Sequence, residues 1–224
     1  MTRYAIIVAG GSGTRFGGEV PKQFQLLCGR PVLMHTIDKF TAAGAAVTLV
    51  LPQAHHALWS DLCKQYGYNT PHTVATGGAS RFESVRNGLA TLSLNDGDTV
   101  AVHDGVRPLV SVELIEATYA TAAEKGSAIP AITPSDSIRM VDADGGSHQL
   151  LRSDLRAVQT PQTFEASLLM GAYDVEFSPL FTDDASVVEA AGHKVTLVEG
   201  QPSNIKITHP VDLIVAERLM NDER

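Results

Sequence analysis

Two permanent cations, Arg15 and Lys22, follow a run of small residues, Ala9-Gly10-Gly11-Ser12-Gly13, and the combination is suited to holding a polyphosphate. Glycines let the main chain approach an anion closely and turn several N–H groups towards it, while the two side chains add positive charge at the same place. A nucleoside triphosphate is the natural occupant. The run is neither of the two familiar glycine motifs. A P-loop requires G-x-x-x-x-G-K-[ST], and no Gly-Lys-Ser or Gly-Lys-Thr occurs. A dinucleotide fingerprint requires G-x-G-x-x-G and an acidic residue about 20 positions on. Gly11 and Gly13 begin that pattern, but Phe16 stands at the third glycine position, and Val47–Leu51 runs into Pro52-Gln53 instead of Asp or Glu. A glycine-rich turn can also be no more than a tight strand-to-helix connection. Arg15 and Lys22 beside it favour the anion.

Asp104 follows the apolar run Val100-Ala101-Val102 and His103, at the carboxyl end where a parallel strand opens onto its ligand. A carboxylate there suits Mg²⁺, which takes one or two protein carboxylates and completes its shell with phosphate oxygens and water. The plainer alternative is a turn residue before Gly105. Arg107, just beyond, either braces that loop or touches phosphate. Gly77-Gly78-Ala79-Ser80-Arg81-Phe82-Glu83-Ser84 repeats the device of glycines ahead of a helix start. Ser80 reads as the N-cap, whereas Ser84, one turn in, has no capping duty and is the better candidate for a base or ribose contact. Thr160-Pro161-Gln162, Thr182-Asp183-Asp184 and Asn204-Ile205-Lys206-Ile207-Thr208 carry polar groups without an evident structural task. Lys206 alternates with two isoleucines, so it points away from the face they bury, towards an anion if that side is the pocket and towards solvent if not. The eight histidines show no H-E-x-x-H or paired-ligand spacing, which argues against zinc.

These residues need a scaffold, and the sequence supplies an alternation of apolar strand-like runs with helix-period stretches, the sign of a parallel sheet covered by helices. Strands are expected at Tyr4–Val8, Val47–Leu51, Thr73–Ala75 and Thr99–His103. Helices are expected at Pro31–Ala43, about His55–Tyr66 and about Ser80–Leu92. Four strand–helix units then account for the first ~125 residues. The rhythm changes past Ala128. Ser137–Val141 and Gln149–Val158, joined by Asp142-Ala143-Asp144-Gly145-Gly146, read as a hairpin inserted at about 135–158, an arm reaching to another subunit or a flap on its own monomer. Helical pattern returns at Ala166–Tyr173, Asp183–Ala191 and Pro210–Met220, with a strand at Val195–Val198. The expectation is an α/β fold of one domain over residues 1–224: a Rossmann-like, mostly parallel sheet with helices on both faces and a protruding β-hairpin arm.

Composition sets outer limits. With 224 residues, 44% of them hydrophobic, the chain is long enough for one substantial core. No apolar run approaches the ~18 residues of a membrane span, and Ala5–Ala9 is too short for a signal-peptide core, so no membrane partner and a cytoplasmic location are expected. Cys28 and Cys63 lack metal spacing and suit reduced thiols. A formal charge of −8 argues against nucleic acid. Against that background Arg15, Lys22, Arg81, Arg107, Arg152 and Lys206 all fall in loop-like segments, as a small polyanion pocket in an acidic protein requires.

Taken in order, Ala9-Gly10-Gly11-x-Gly13-x-Arg15 with Pro21-Lys22-Gln23, Gly77-Gly78-x-x-Arg81-x-x-Ser84-Val85, Val102-His103-Asp104-x-x-Arg107-Pro108, Thr160-Pro161-Gln162, Thr182-Asp183 and Asn204-Ile205-Lys206 resemble the 2-C-methyl-D-erythritol 4-phosphate cytidylyltransferases of the non-mevalonate isoprenoid pathway. The resemblance implies CTP and a sugar-alcohol phosphate as substrates, Mg²⁺ as cofactor and pyrophosphate as leaving group. It implies that Arg15 and Lys22 stabilise charge at the α-phosphate, that Ala9, Gly10, Gly11 and Gly13 hold the triphosphate, and that Gly78 and Ser84 contact the nucleotide. Asp104 would serve the metal. Arg107, Ser137, Arg152, Thr160, Thr182 and Lys206 would face the sugar phosphate. The family's arm forms a homodimer and lends residues to the neighbouring site; Ser137 stands there where a threonine is common. Such chemistry needs no general base, because a phosphomonoester of second pKa near ~6 is largely dianionic at neutral pH, consistent with the lack of a Ser-His-Asp or paired-carboxylate pattern. Two other readings stand beside this one: a ribitol-5-phosphate cytidylyltransferase, which shares the glycine loop and the Thr-Pro-Gln segment, and a non-catalytic nucleotide-binding regulator.

Overall fold

A computed structural model describes residues 1–11, 16 and 20–222. The first apolar run is strand β1 (Arg3–Val8), and after the turn that follows it two short strands, β2 (Leu26–Leu27) and β3 (Arg30–Pro31), form a small hairpin leading into α1 (Val32–Ala42). Then β4 (Ala46–Leu51), α2 (His56–Gln65), β5 (Thr73–Thr76), α3 (Arg81–Leu89), β6 (Thr99–Asp104) and α4 (Val112–Lys125) complete the four expected strand–helix units. In space the strands run β6-β1-β4-β5, all parallel. The chain thus builds outward from β1 to β5 and returns to β1's other side with β6, creating at the carboxyl ends of β1 and β6 the kind of crevice where such sheets bind ligands.

Burial on both faces explains why these strands read as continuous apolar runs. Ala5 and Ile7 face a core with Leu33, Ile37 and Phe40 of α1, Leu114, Ile115 and Tyr119 of α4, and Trp59 of α2. Ile6, between them in sequence, points to the opposite core with Val50, Val100, Val102 and Phe82, Val85 and Leu89 of α3. Gly88 has a packing reason to be glycine, since an added Cβ would lie 2.9 Å from Ile6 and 3.0 Å from Val50.

The second half continues with β7 (Ser127–Ile132), the hairpin β8 (Arg139–Val141) and β9 (Ser147–Gln149), then β10 (Ala157–Val158), β11 (Gln162–Glu165), α5 (Ala166–Ala172), α6 (Asp184–Ala190), β12 (Leu197–Glu199) and α7 (Pro210–Asp222). β11 inserts antiparallel between β6 and β7, and β12 runs parallel to β7. The hairpin arm is present, with every residue of β8 and β9 exposed. Its second limb differs from expectation. Gln149–Val158 is not one extended segment: a short turn at Arg152–Asp154 separates β9 from β10, which pairs with β7 instead of the arm. Between β10 and β11 the register on β7 slips, Val158 facing Ala131 and Thr163 facing Ala128. This slip releases Thr160 and the cis-bonded Pro161 from regular pairing beside β6. α3 also ends sooner than its pattern suggested, at Leu89.

Candidate active site

The carboxyl ends of β1 and β6, the start of α3 and the segment around Lys206 enclose a cavity of about 440 Å³. Its floor is the turn after β1. Ala9 donates its N–H to the Val50 carbonyl at 3.0 Å and accepts from Gln23 Nε2 at 2.9 Å, so a side chain that is 1% exposed pins the turn from below. Gly10 and Gly11 line the cavity, and nothing lies within 4 Å of a Cβ placed on Gly11. Lys22 reaches the cavity from a short 3-10 turn, Lys22–Phe24, anchored by the buried Phe24. Gly13 and Arg15 lie outside the described residues.

The wall at α3 is built by local hydrogen bonding. Ser80 and Glu83 form a capping box: Ser80 Oγ accepts from the Glu83 N–H at 3.1 Å, and Glu83 Oε2 accepts from the Ser80 N–H at 2.9 Å. Gly78 fits only as glycine, because a Cβ would come 2.3 Å from the Glu83 Cβ. Ser84 was expected to have no structural duty and has one. Its Oγ accepts from the Gly78 N–H at 3.1 Å and donates to the Ser80 carbonyl at 2.9 Å, fixing the glycine turn while still lining the cavity.

Asp104 is the only acidic side chain among the described residues lining the cavity, and it carries two cations on one oxygen: Lys206 Nζ at 3.0 Å and Arg107 Nε at 3.1 Å from Oδ2. Burial pushes its pKa up, but the combined charges of Lys206, Arg81 and Arg107 outweigh that and hold the carboxyl well below the usual carboxylate range. Of the two roles weighed for Arg107, bracing is the one its contacts display: beyond Asp104, its NH1 donates to the Asn204 carbonyl at 2.9 Å, and it is not on the cavity wall.

Thr160 is likewise turned inward. It is 5% exposed; its Oγ accepts the Asp104 N–H at 3.1 Å and pairs with His103 Nδ1 at 3.1 Å. His103 Nε2 lies 3.2 Å from the Arg107 carbonyl, so the imidazole that donates there accepts from Thr160. Burial drives the pKa of this ring down to about 3, and it stays neutral. Asp104 is therefore held from its main chain as well as its carboxylate. Thr182 is exposed beside α6, whose first turn is tied to Gln162: that side chain donates to Asp183 Oδ2 and accepts from the Ala185 N–H, both at 2.8 Å. Ser137 and Arg152 are exposed on the arm and do not line the cavity, Arg152 donating to the Ser135 carbonyl at 2.8 Å. Arg81, Gln23 and Thr208 also line it; Arg81 was counted among the cations of a polyanion pocket but given no role, and the other two were not expected there. Arg81 stood within a flagged motif, and Gln23 directly follows Pro21-Lys22, so adjacency was the available signal.

Among the described residues no three His, Cys, Asp or Glu side chains are placed to hold a metal ion. One hard carboxylate facing a polyphosphate cavity fits a cation that arrives largely ligated by phosphate oxygens.

Glycine turns, convergent cations and the Asp104 carboxylate at the switch point of a mostly parallel sheet define a nucleotidyltransferase. The profile of the 2-C-methyl-D-erythritol 4-phosphate cytidylyltransferases matches residues 4–222. A protein of that name from Phocaeicola vulgatus is 49% identical, covering 98% of this chain and 100% of its own. Crystal structures similar to this chain include 4-diphosphocytidyl-2C-methyl-D-erythritol synthase from Anaerococcus prevotii (TM-score 0.82, 29% identity, 98% of each chain). Another is the cytidylyltransferase from Thermus thermophilus (TM-score 0.77, 32% identity, 99% of this chain and 100% of that one). The chain belongs to the 2-C-methyl-D-erythritol 4-phosphate cytidylyltransferase family.

Proposed function

We propose that the chain transfers CMP from CTP to the phosphate of 2-C-methyl-D-erythritol 4-phosphate, forming 4-diphosphocytidyl-2-C-methyl-D-erythritol and pyrophosphate for isoprenoid precursor synthesis. The observation that carries this is the cavity itself, which gathers Lys22, Arg81, Lys206 and Asp104 around the two glycine turns in a chain that matches the family almost end to end. A phosphate oxygen of the acceptor attacks the α-phosphorus, the bond to the bridging oxygen breaks, and pyrophosphate leaves. Both reactants are anions, so the protein's task is to align them and neutralise their charge. Arg15 and Lys22 take the developing charge at the α-phosphate, and the Ala9–Gly13 turn holds the triphosphate.

The α3 wall suits the neutral end of the nucleotide. Its helix terminus already has a carboxylate in its capping box, and its dipole is satisfied without a phosphate. The base and ribose then lie along Gly78 and Ser84. Lys206 turns from Asp104 to the acceptor phosphate, and Arg107 and Thr160 act by holding Asp104. Mg²⁺ would be held by the triphosphate with Asp104 beside it, supplying charge neutralisation on the phosphates.

The reading extends to a single domain over residues 1–224, a cytoplasmic location and a homodimer. Met140, Val141 and Leu151 give the arm an exposed apolar surface, which supports pairing with a second subunit. In the dimer, Ser137, Arg152 and Thr182 complete the acceptor side.

The test is turnover with CTP and Mg²⁺, offering methylerythritol phosphate and ribitol 5-phosphate separately and measuring pyrophosphate. Turnover with the first alone is expected. Preference for ribitol phosphate would transfer the assignment to that acceptor, and release of no pyrophosphate with either would leave a nucleotide-binding regulator. A panel of the four nucleoside triphosphates checks the base.

A further inference from the structure

Arg81 is a firmly held cation of the cavity. It is the first residue of α3, and its side chain is 28% exposed where it lines the cavity. Its NH1 and NH2 donate to the two oxygens of Asp184 at 2.9 and 2.6 Å, and that carboxylate is wholly buried. Tyr173 donates its hydroxyl to the same carboxylate at 2.6 Å, and its ring stacks on Phe82 at 4.8 Å between centroids. A guanidinium carries five N–H groups and this fork consumes two, so three remain for a ligand.

The arrangement is hard to explain by stability alone. A buried ion pair gains little over well-packed apolar residues, because both charges must be desolvated. Arg81 acts on Asp104 through its charge alone, the carboxylate's direct ion pairs being with Lys206 and Arg107. An unrestrained arginine at this position would be drawn to Asp104 as a third cation; the fork to Asp184 prevents it. What results is a donor of fixed direction at the border between the α3 wall and the Asp104 side.

We infer that Arg81 contacts the nucleotide directly, with Asp184 and Tyr173 as its positioning residues. This rests on the reading that CTP fills the cavity, and the experiment separates the two. CTP binding is measured by calorimetry with Mg²⁺ and no acceptor, on wild type, Arg81→Lys and Asp184→Asn, each first shown to be folded by its melting curve. Loss of a charge-assisted hydrogen bond weakens binding by about 10-fold or more. That increase in Kd is expected in both variants, with the KM for the acceptor within about twofold of wild type, an interaction of this size being absent there. A role in packing only would lower the melting temperature and leave Kd unchanged in the folded protein, and that result overturns the inference. So does an effect confined to the acceptor. Should neither variant fold, Tyr173→Phe keeps the stacked ring and removes one hydroxyl; a CTP Kd raised about threefold supports the assignment and an unchanged one refutes it. Wild-type protein that binds no CTP would instead sink the proposed function.

Discussion

The two sides of the cavity are built differently. On the side proposed for the nucleotide, three backbone positions among the described residues are fixed by neighbours within the chain: Gln23 under Ala9, Ser84 over Gly78, Glu83 over Ser80. On the side proposed for the acceptor, Ser137, Arg152 and Thr182 are exposed and stand off the cavity wall, while Arg107 and Thr160 are occupied with Asp104. The difference teaches that preorganisation for the nucleotide is local, a matter of turns and caps, whereas the acceptor side asks for another contributor, which the homodimer reading supplies through the arm.

The largest effect should come from the nucleotide side. Lys22→Ala is expected to lower kcat by about 10²–10³-fold with the fold intact, as when one transition-state donor is lost, and Arg15→Ala by a similar factor; steady-state kinetics on both decide it. Near-normal turnover would remove these cations from the mechanism. Gly78→Ala should come next, since the new methyl must displace Glu83: we expect about 1–3 kcal/mol of lost stability in a denaturant melt and a KM for CTP raised about 10-fold.

The acceptor side is tested by complementation. Arg152→Ala alone should raise the acceptor KM about 10-fold or more, as for a lost charge-assisted contact. If the arm serves the neighbour, Arg152→Ala mixed with Lys22→Ala should recover about a quarter of wild-type activity, because half the dimers are mixed and each has one intact site. No recovery would return Arg152 to its own subunit.

Acid sensitivity probes the brace behind Asp104. His103 has a folded pKa of about 3 against an ordinary 6.5, so between those values the unfolded chain binds a proton that the native one does not. Its contribution is fully present above the unfolded value and declines as pH falls, by about 1.4 kcal/mol per unit. Melting temperatures should begin to drop below pH 6.5, and His103→Gln should flatten that slope. The smallest effect is expected from Ser137→Thr, where one methyl is worth about 0.8 kcal/mol and shifts the acceptor KM by no more than about fourfold.

Much of the scaffold was legible because burial on both faces writes strands as apolar runs and helices as periodic ones. β1, α1, β4, α2, β6 and α7 fall within a residue or two of their expected limits. β7 and β11 escaped notice for physical reasons. Pro130 interrupts the first, and the second is four residues long with two polar side chains and a terminal glutamate. The glycine turns, Lys22 and Asp104 could be found because their chemistry is local. The inward turn of Thr160 could not, because only the antiparallel insertion of β11 brings it to Asp104, and Arg81 meets Asp184 across 103 positions. Ser84 misled through a rule of position: capping is judged at the first turn, and its hydroxyl works backwards from the second.

Lys206 arrives at Asp104 from 102 positions downstream, on a segment clamped by the N–H of the buried Ile207 to the Val106 carbonyl at 2.9 Å. The cavity is therefore closed by a segment that leaves the ribosome about a hundred residues after Asp104. A nascent polypeptide can fold its first strands and helices well before that segment emerges, yet it cannot assemble its charge-balanced centre. The charge balance at Asp104 is therefore complete only once the Lys206 segment has docked.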